Sequence, residues 1–178
     1  MQRHILNTFM REINLEMKQV FEVSFVCLGN ICRSPLAQGV FESLVAREGL
    51  GDQISTSSAG VSGWHTGQLP DARMRETARQ KGIQLNSRAR QFKPADFNRF
   101  DLVLAMDQTN LSALEQMGGA SDKKLRLFRS FDPMNNGDLD MPDPYYGGNQ
   151  GFEYVYQIVA RTCPKILEFI RPRLAPLK

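Results

Sequence analysis

The segment Cys27-Leu28-Gly29-Asn30-Ile31-Cys32-Arg33-Ser34 sets a thiol and a guanidinium at the two ends of a short loop, with five residues between Cys27 and Arg33. A backbone of that length can curl around one tetrahedral dianion with its N–H groups turned inward, and a helix that starts at the loop's end adds positive potential. A thiol beside a cation at a helix N-terminus loses its proton well below the range of a free cysteine, which makes Cys27 a candidate nucleophile at neutral pH. Arg33 can hold two phosphate oxygens in a fork that lysine cannot imitate. Ser34 is placed to donate its hydroxyl to the sulfur, helping it leave when a thiophosphate is hydrolysed. Ser34-Pro35 also reads as a helix N-cap followed by proline at the first helical position. Gly29 and Asn30 tolerate the positive φ of an amide-lined anion site, and the Asn30 side chain can fix the loop by hydrogen bonds.

Cleavage of a phosphate monoester also needs a proton for the leaving oxygen. Met141-Pro142-Asp143-Pro144-Tyr145-Tyr146-Gly147-Gly148 offers one carboxyl between two prolines, followed by two aromatic rings in a glycine-flanked loop. The prolines restrict the backbone on both sides of Asp143, which is the candidate general acid and later the base that activates water. By itself that stretch reads as a surface turn, because Pro, Asp and Gly are turn formers.

Taken in order along the chain, the two clusters resemble the low-molecular-weight protein tyrosine phosphatases, from about Phe21 to about Phe169. Ser58-Ala59-Gly60 and Trp64 are similar to the family's second loop, and Ala105-Met106-Asp107 to its third strand and following turn. The resemblance implies Cys27 as nucleophile, Arg33 as phosphate clamp, Ser34 as thiolate partner, Asn30 as loop organiser and Asp143 as acid and base. The loop from Leu28 to Cys32, including Gly29, would surround the phosphate, with Leu28, Ile31, Trp64 and Tyr145 lining a deep slot and Tyr146 beside it. Such depth selects phosphotyrosine, since a phosphoserine stem is too short to reach the floor. For members with a second loop cysteine the resemblance also implies a reversible disulfide, here Cys27 with Cys32. Animal members carry a histidine near the position of Asp107 in the fold, whereas the matching stretch Asn86-Ser87-Arg88 offers Ser87, so Asp107 is expected only to orient the loop.

The elements that must hold these groups alternate between strand and helix. Val23, Phe25 and Val26 read as a buried first strand, and Leu36, Val40 and Leu44 as one stripe of a helix closed by Gly49. A second strand is expected over 54–58, a helix opened by Pro70-Asp71 and closed by Gly82, and a third strand over 102–106. A helix over 108–117 ended by Gly118-Gly119 and a fourth strand over 125–128 follow. The stretch 129–150 lacks a period and is long for a connection, which favours a functional loop; the spacing of Asp132, Asp138 and Asp140 does not match a calcium loop. From Gly151 onward Phe152, Val155, Val159, Cys163, Ile166 and Ile170 form a last helical stripe, with a kink expected at Pro164. The alternation predicts a single α/β domain with a parallel, right-handed sheet and the Cys27 loop at the carboxyl end of its first strand. The resemblance adds a flavodoxin-like four-stranded twisted sheet in the order 2-1-3-4, with helices on both faces.

A chain of 178 residues, 42% of them hydrophobic, suits one domain with one sizeable core. No repeat or low-complexity segment is present. Residues 1–20 precede the resemblance and read as an extension or a misassigned start ahead of Met17, leaving 21–178 as the phosphatase domain. The net charge of +3 is modest, but Arg73, Arg75, Arg79, Lys81, Arg88, Arg90 and Lys93 crowd one stretch against the single acid Glu76. A solvated helix face is the simpler reading of that run, and a field that attracts anionic phosphoproteins the sharper one. With only Phe92 interleaved, nucleic-acid binding is not expected.

Three cysteines, an interrupted N-terminus with no apolar leader and no run of about 18 apolar residues argue for a reducing cytoplasm and against a membrane. Cys163 is expected in the core. No metal or cofactor is expected, because Arg33 and loop amides would supply the charge stabilisation. The expected partners are tyrosine-phosphorylated proteins, with a cognate tyrosine kinase as a further candidate. Arsenate reduction is the nearest rival, but it needs a further pair of cysteines for a disulfide relay. Arginine-phosphate hydrolysis is another, although Ile31 suits an aryl group better. A non-catalytic phosphoprotein reader would require neither Cys27 nor Asp143.

Overall fold

The computed structural model describes residues 20–118, 123–146 and 148–174. The expected extension lies outside these apart from Val20. Four parallel strands form one sheet in the order β2-β1-β3-β4, where β1 is Phe21–Cys27, β2 Ile54–Gly60, β3 Leu102–Ala105 and β4 Leu125–Leu127. Four helices connect or follow them: α1 Arg33–Arg47, α2 Ala72–Gln80, α3 Gln108–Gln116 and α4 Asn149–Ile170.

Alternation along the central strands decides which layer each residue joins. Val23, Phe25, Cys27, Leu102 and Leu104 pack into the core formed with α1, α2 and α4, while Val26, Val103 and Ala105 face a second core with Leu114 of α3 and Phe92, Phe97 and Phe100. Phe25 meets Phe41 and Phe128 edge-on, at centroid distances of 5.7 and 6.1 Å. Each fully buried phenylalanine is worth about 1.5–3 kcal/mol from area alone, so this layer anchors β1 firmly.

In register, Cys27 lies opposite Gly60, and Val26 lies between Ala59 and Ala105. Parallel strands of this register end at one edge, which carries Cys27, Gly60 and the turn to Asp107 together. Helices α1 and α2 stop as expected, with Gly49 and Gly82 just beyond them at φ of +67° and +76°.

Three local expectations need correction. Helix α1 begins at Arg33 and Cys32 holds the cap position, so Ser34 is not an N-cap and Pro35 is not the first helical residue. The Ser34 hydroxyl is engaged elsewhere, by Cys27 and Asn30. Strand β2 extends to Gly60, since pairing with β1 continues to the loop. Helix α4 starts at Asn149, two residues ahead of the expected Gly151, and runs as one element past Pro164, with buried Cys163, Ile166, Leu167 and Ile170 on both sides of the missing N–H.

The acid-bearing stretch starts from a short 3-10 turn, Phe128–Phe131, and is pinned by a buried ionic cluster. Asp132 accepts Arg161 Nε and Nη2 at 2.8 and 2.9 Å and, at 3.3 Å, Arg129 Nε. Arg129 also donates to Asp138 at 2.9 Å and to the Asp140 carbonyl at 2.6 Å. Burial opposes the charge on Asp132, but the two arginines and the Met134 N–H outweigh it and hold the carboxyl below its usual range. Among the described residues no helix is long and apolar enough to cross a membrane.

Candidate active site

The loop from β1 to α1 encloses the sulfur of Cys27. The Asn30 N–H donates to Sγ at 3.3 Å, and Ser34 Oγ lies 3.0 Å from it. Asn30 takes a φ of +58°, the left-handed conformation expected of it. Its amide donates to Ser34 Oγ and Ser58 Oγ, both at 2.9 Å, and its Oδ1 accepts the Arg90 N–H at 3.0 Å. The loop is therefore tied to the end of β2 and to the 90 segment through one side chain. With Asn30 donating to it, Ser34 keeps its own proton for Cys27 Sγ or, at 3.3 Å, the Ala59 carbonyl.

Gly29 does not adopt positive φ, contrary to expectation; its lack of a side chain instead makes room for His65, whose Cδ2 would stand 2.8 Å from an added Cβ. Gly60 is more confined, since a Cβ there would meet the Leu28 carbonyl at 2.7 Å.

Arg33 is 3% exposed and is held by three acceptors. Nη1 donates to Asp107 Oδ2 and, at 3.1 Å, to the Met141 carbonyl, while Nη2 donates to Asp143 Oδ2 at 2.8 Å. Burial disfavours its charge, yet Cys27, Asp143 and Asp107 together make the guanidinium more basic than usual. Asp107 also caps α3 by accepting the Asn110 N–H at 2.7 Å, so it orients Arg33 from a rigid helix start. Asp143, whose side chain is 35% exposed, accepts the Tyr145 N–H through Oδ1 at 3.1 Å.

A single cleft is lined by Cys27, Leu28, Gly29, Ile31, Cys32, Arg33, Trp64, His65, Asp143, Tyr145 and Tyr146. Every sequence-predicted site residue is on that surface except Asn30 and Ser34, which brace the loop from behind. Trp64 and Tyr146 form an open rim, 76% and 93% exposed, and Tyr146 meets Tyr145 edge-on at 5.0 Å. Polar groups thus gather at the floor and aromatic surface at the mouth.

Sequence reasoning missed His65 as a wall, Ser58 as an anchor of Asn30 and the direct bond from Arg33 to Asp107. Only the position of His65 next to Trp64 could have hinted at the first. In the basic stretch, Arg73, Arg79, Lys81 and Arg90 pair with Asp71, Glu76, Glu153 and Asp96, while Arg75 and Arg88 donate to the Pro70 and Gly67 carbonyls. Much of the run is therefore neutralised locally. All three cysteines are free thiols; burial, with Asp71, Cys27 and Asp143 nearby, pushes the Cys32 thiol up, and burial alone does so for Cys163.

The chain is similar to known proteins in both sequence and fold. The family model described as low molecular weight phosphotyrosine protein phosphatase matches residues 22–174. A low molecular weight protein-tyrosine-phosphatase of Streptomyces coelicolor is 43% identical over 157 residues, covering 86% of this chain and 96% of the relative. A low molecular weight phosphotyrosine protein phosphatase of Homo sapiens is 40% identical, covering 82% and 93%. The crystal structure of YfkJ from Bacillus subtilis superposes with a TM-score of 0.81 at 37% identity, covering 88% of this chain and 98% of that one.

Proposed function

The chain belongs to the low molecular weight phosphotyrosine protein phosphatase family, and from that premise we propose that it hydrolyses phosphotyrosine in proteins through a cysteinyl-phosphate intermediate. One observation carries the reading: Cys27, Arg33 and Asp143 share a single cleft, and Arg33 is already bonded to Asp143 at 2.8 Å.

The substrate phosphate binds over the sulfur and takes Arg33 in place of Asp143. Asp143, released from Arg33, then serves as the general acid. The Cys27 thiolate, stabilised by the Asn30 N–H and the Ser34 hydroxyl, attacks phosphorus as the P–O ester bond breaks. Asp143 delivers its proton to the departing tyrosyl oxygen. In the second step Asp143 takes a proton from water, the water oxygen bonds to phosphorus, and the S–P bond breaks with Ser34 donating to the sulfur. Arg33 remains bidentate to the equatorial oxygens throughout.

Ile31, Trp64 and Tyr145 offer apolar and aromatic walls suited to an aryl ring, with about 0.5–1.5 kcal/mol per ring contact beyond burial. A cysteine relay for arsenate reduction is disfavoured, since Cys163 is fully buried in the core. Tyrosine-phosphorylated proteins, a cognate tyrosine kinase among them, are the proposed partners. The free thiols suit the cytoplasm as the proposed location.

Assay of an aryl phosphate with wild type, Cys27→Ser and Asp143→Ala tests the reading. No turnover is expected from Cys27→Ser, and a loss of about 10²-fold from Asp143→Ala. Unchanged activity in Cys27→Ser would remove the mechanism.

A further inference from the structure

Arg73 is held at the start of α2 in a way a solvated helix face does not require. Its Nε and Nη2 clamp the two oxygens of Asp71 at 3.0 and 2.9 Å, and its N–H donates to the same carboxyl at 2.8 Å. Asp71 in turn donates its backbone N–H to the Ile31 carbonyl at 2.8 Å, so the guanidinium is fastened to the nucleophile loop. From there Arg73 Nη2 reaches the Tyr145 carbonyl at 3.2 Å, and the guanidinium lies 5.6 Å from the Tyr145 ring centre and 4.7 Å from that of Phe152. Tyr145 is thus gripped twice: its carbonyl by Arg73 and its N–H by Asp143 Oδ1 at 3.1 Å.

We propose that Arg73 is a positioning residue for proton transfer, linking the Asp143–Tyr145 segment to the Cys27 loop through Asp71 and so setting the reach of the carboxyl over the leaving oxygen. The inference rests on Asp143 being the general acid. When phosphate takes Arg33, Asp143 loses its ion pair, and its bond to the Tyr145 N–H becomes the hold that matters. Gly147 and Gly148 follow in the sequence and impose the least backbone restraint of any residue type, so Tyr145 depends on a tertiary contact. One planar fork can serve both Asp71 oxygens, a carbonyl and a ring face together, which an ammonium cannot.

The test compares kcat/KM for phenyl phosphate and p-nitrophenyl phosphate in wild type, Arg73→Ala, Arg73→Lys, Asp143→Ala and the Arg73→Ala/Asp143→Ala double variant. Phenoxide leaves poorly without a proton, whereas p-nitrophenoxide leaves readily. Arg73→Ala should lose about fivefold or more on phenyl phosphate and less than about twofold on p-nitrophenyl phosphate, a fraction of the general-acid effect. Arg73→Lys should recover little, inhibition by inorganic phosphate should be unchanged, and the double variant should be no slower than Asp143→Ala alone. Equal losses on the two substrates, no loss, or additive losses in the double variant overturn the proposal. Absence of the leaving-group bias in Asp143→Ala itself overturns the role of Asp143, and the inference with it. Should Arg73→Ala fail to fold, Asp71→Asn loosens the same clamp and is judged by the same bias.

Discussion

Asn30 donates its side-chain amide to Ser34 Oγ at 2.9 Å, and that bond holds the hydroxyl 3.0 Å from the Cys27 sulfur with its own proton left for the sulfur or the Ala59 carbonyl. Asn30 thereby combines a backbone at positive φ with a side-chain network beside the Cys27 sulfur.

Ser34→Ala removes the hydroxyl 3.0 Å from Cys27 Sγ, the proposed donor to the departing sulfur, while leaving Arg33 and Asp143 in place. Breakdown of the phosphoenzyme should slow about tenfold, a share of what one oriented donor contributes to a charged transition state. Rapid-mixing measurements should then show a burst of aryl alcohol before a slower steady state. Lack of a burst, with kcat unchanged, would count against this role.

Alkylation should separate the three thiols. Iodoacetate at neutral pH should modify Cys27, facing the cleft with donors around it, before Cys32 and Cys163, whose thiols burial holds protonated. Inorganic phosphate should protect, and Cys27→Ser should abolish the fast phase when followed by mass spectrometry.

Gly60→Ala places a methyl group 2.7 Å from the Leu28 carbonyl and 2.9 Å from that of Ser62, backbone atoms that cannot swing aside. Relieving this contact should cost about 1–3 kcal/mol and shift the nucleophile loop. A lowered Tm together with a fall in kcat/KM of about tenfold or more is expected, because small misplacements of reacting groups are costly.

Asp132 is buried against Arg129 and Arg161 on the route to Asp143. Asp132→Ala takes away both hydrogen bonds of Arg161 and one of Arg129, which keeps Asp138 and the Asp140 carbonyl, and should lower the unfolding free energy by about 2 kcal/mol in denaturant melts. Since its folded-state pKa is depressed, the Asp132 carboxylate stabilises above its unfolded value near 4 and that stability is lost as pH falls through the lower folded value. Below about pH 4 wild type should therefore lose stability more steeply than Asp132→Asn.

Most strands and helices were readable because each carries one apolar period bounded by proline or glycine. The expected strand over 54–58 fell short at Ala59-Gly60, which pair with β1 only because the two chains share an edge. Ser34-Pro35 has the look of a helix start, yet a hydroxyl within reach of a thiol and an amide gives up capping for them. His65 carries no local sign of its place beyond its position next to Trp64, since the room it occupies comes from the absence of a side chain at Gly29, 36 positions earlier in the sequence.

The residue types and spacing from Cys27 to Ser34, and the prolines around Asp143, by themselves determined the class of chemistry, because a thiol, a guanidinium and a carboxyl are intrinsic to their side chains. Only the tertiary structure decided that Arg33 bridges Asp107 and Asp143, that Asp132 is ionised in the core and that Arg73 holds Tyr145. Those are contacts between residues 29 to 110 positions apart, set by how the sheet edge and two loops pack, and no local pattern encodes them.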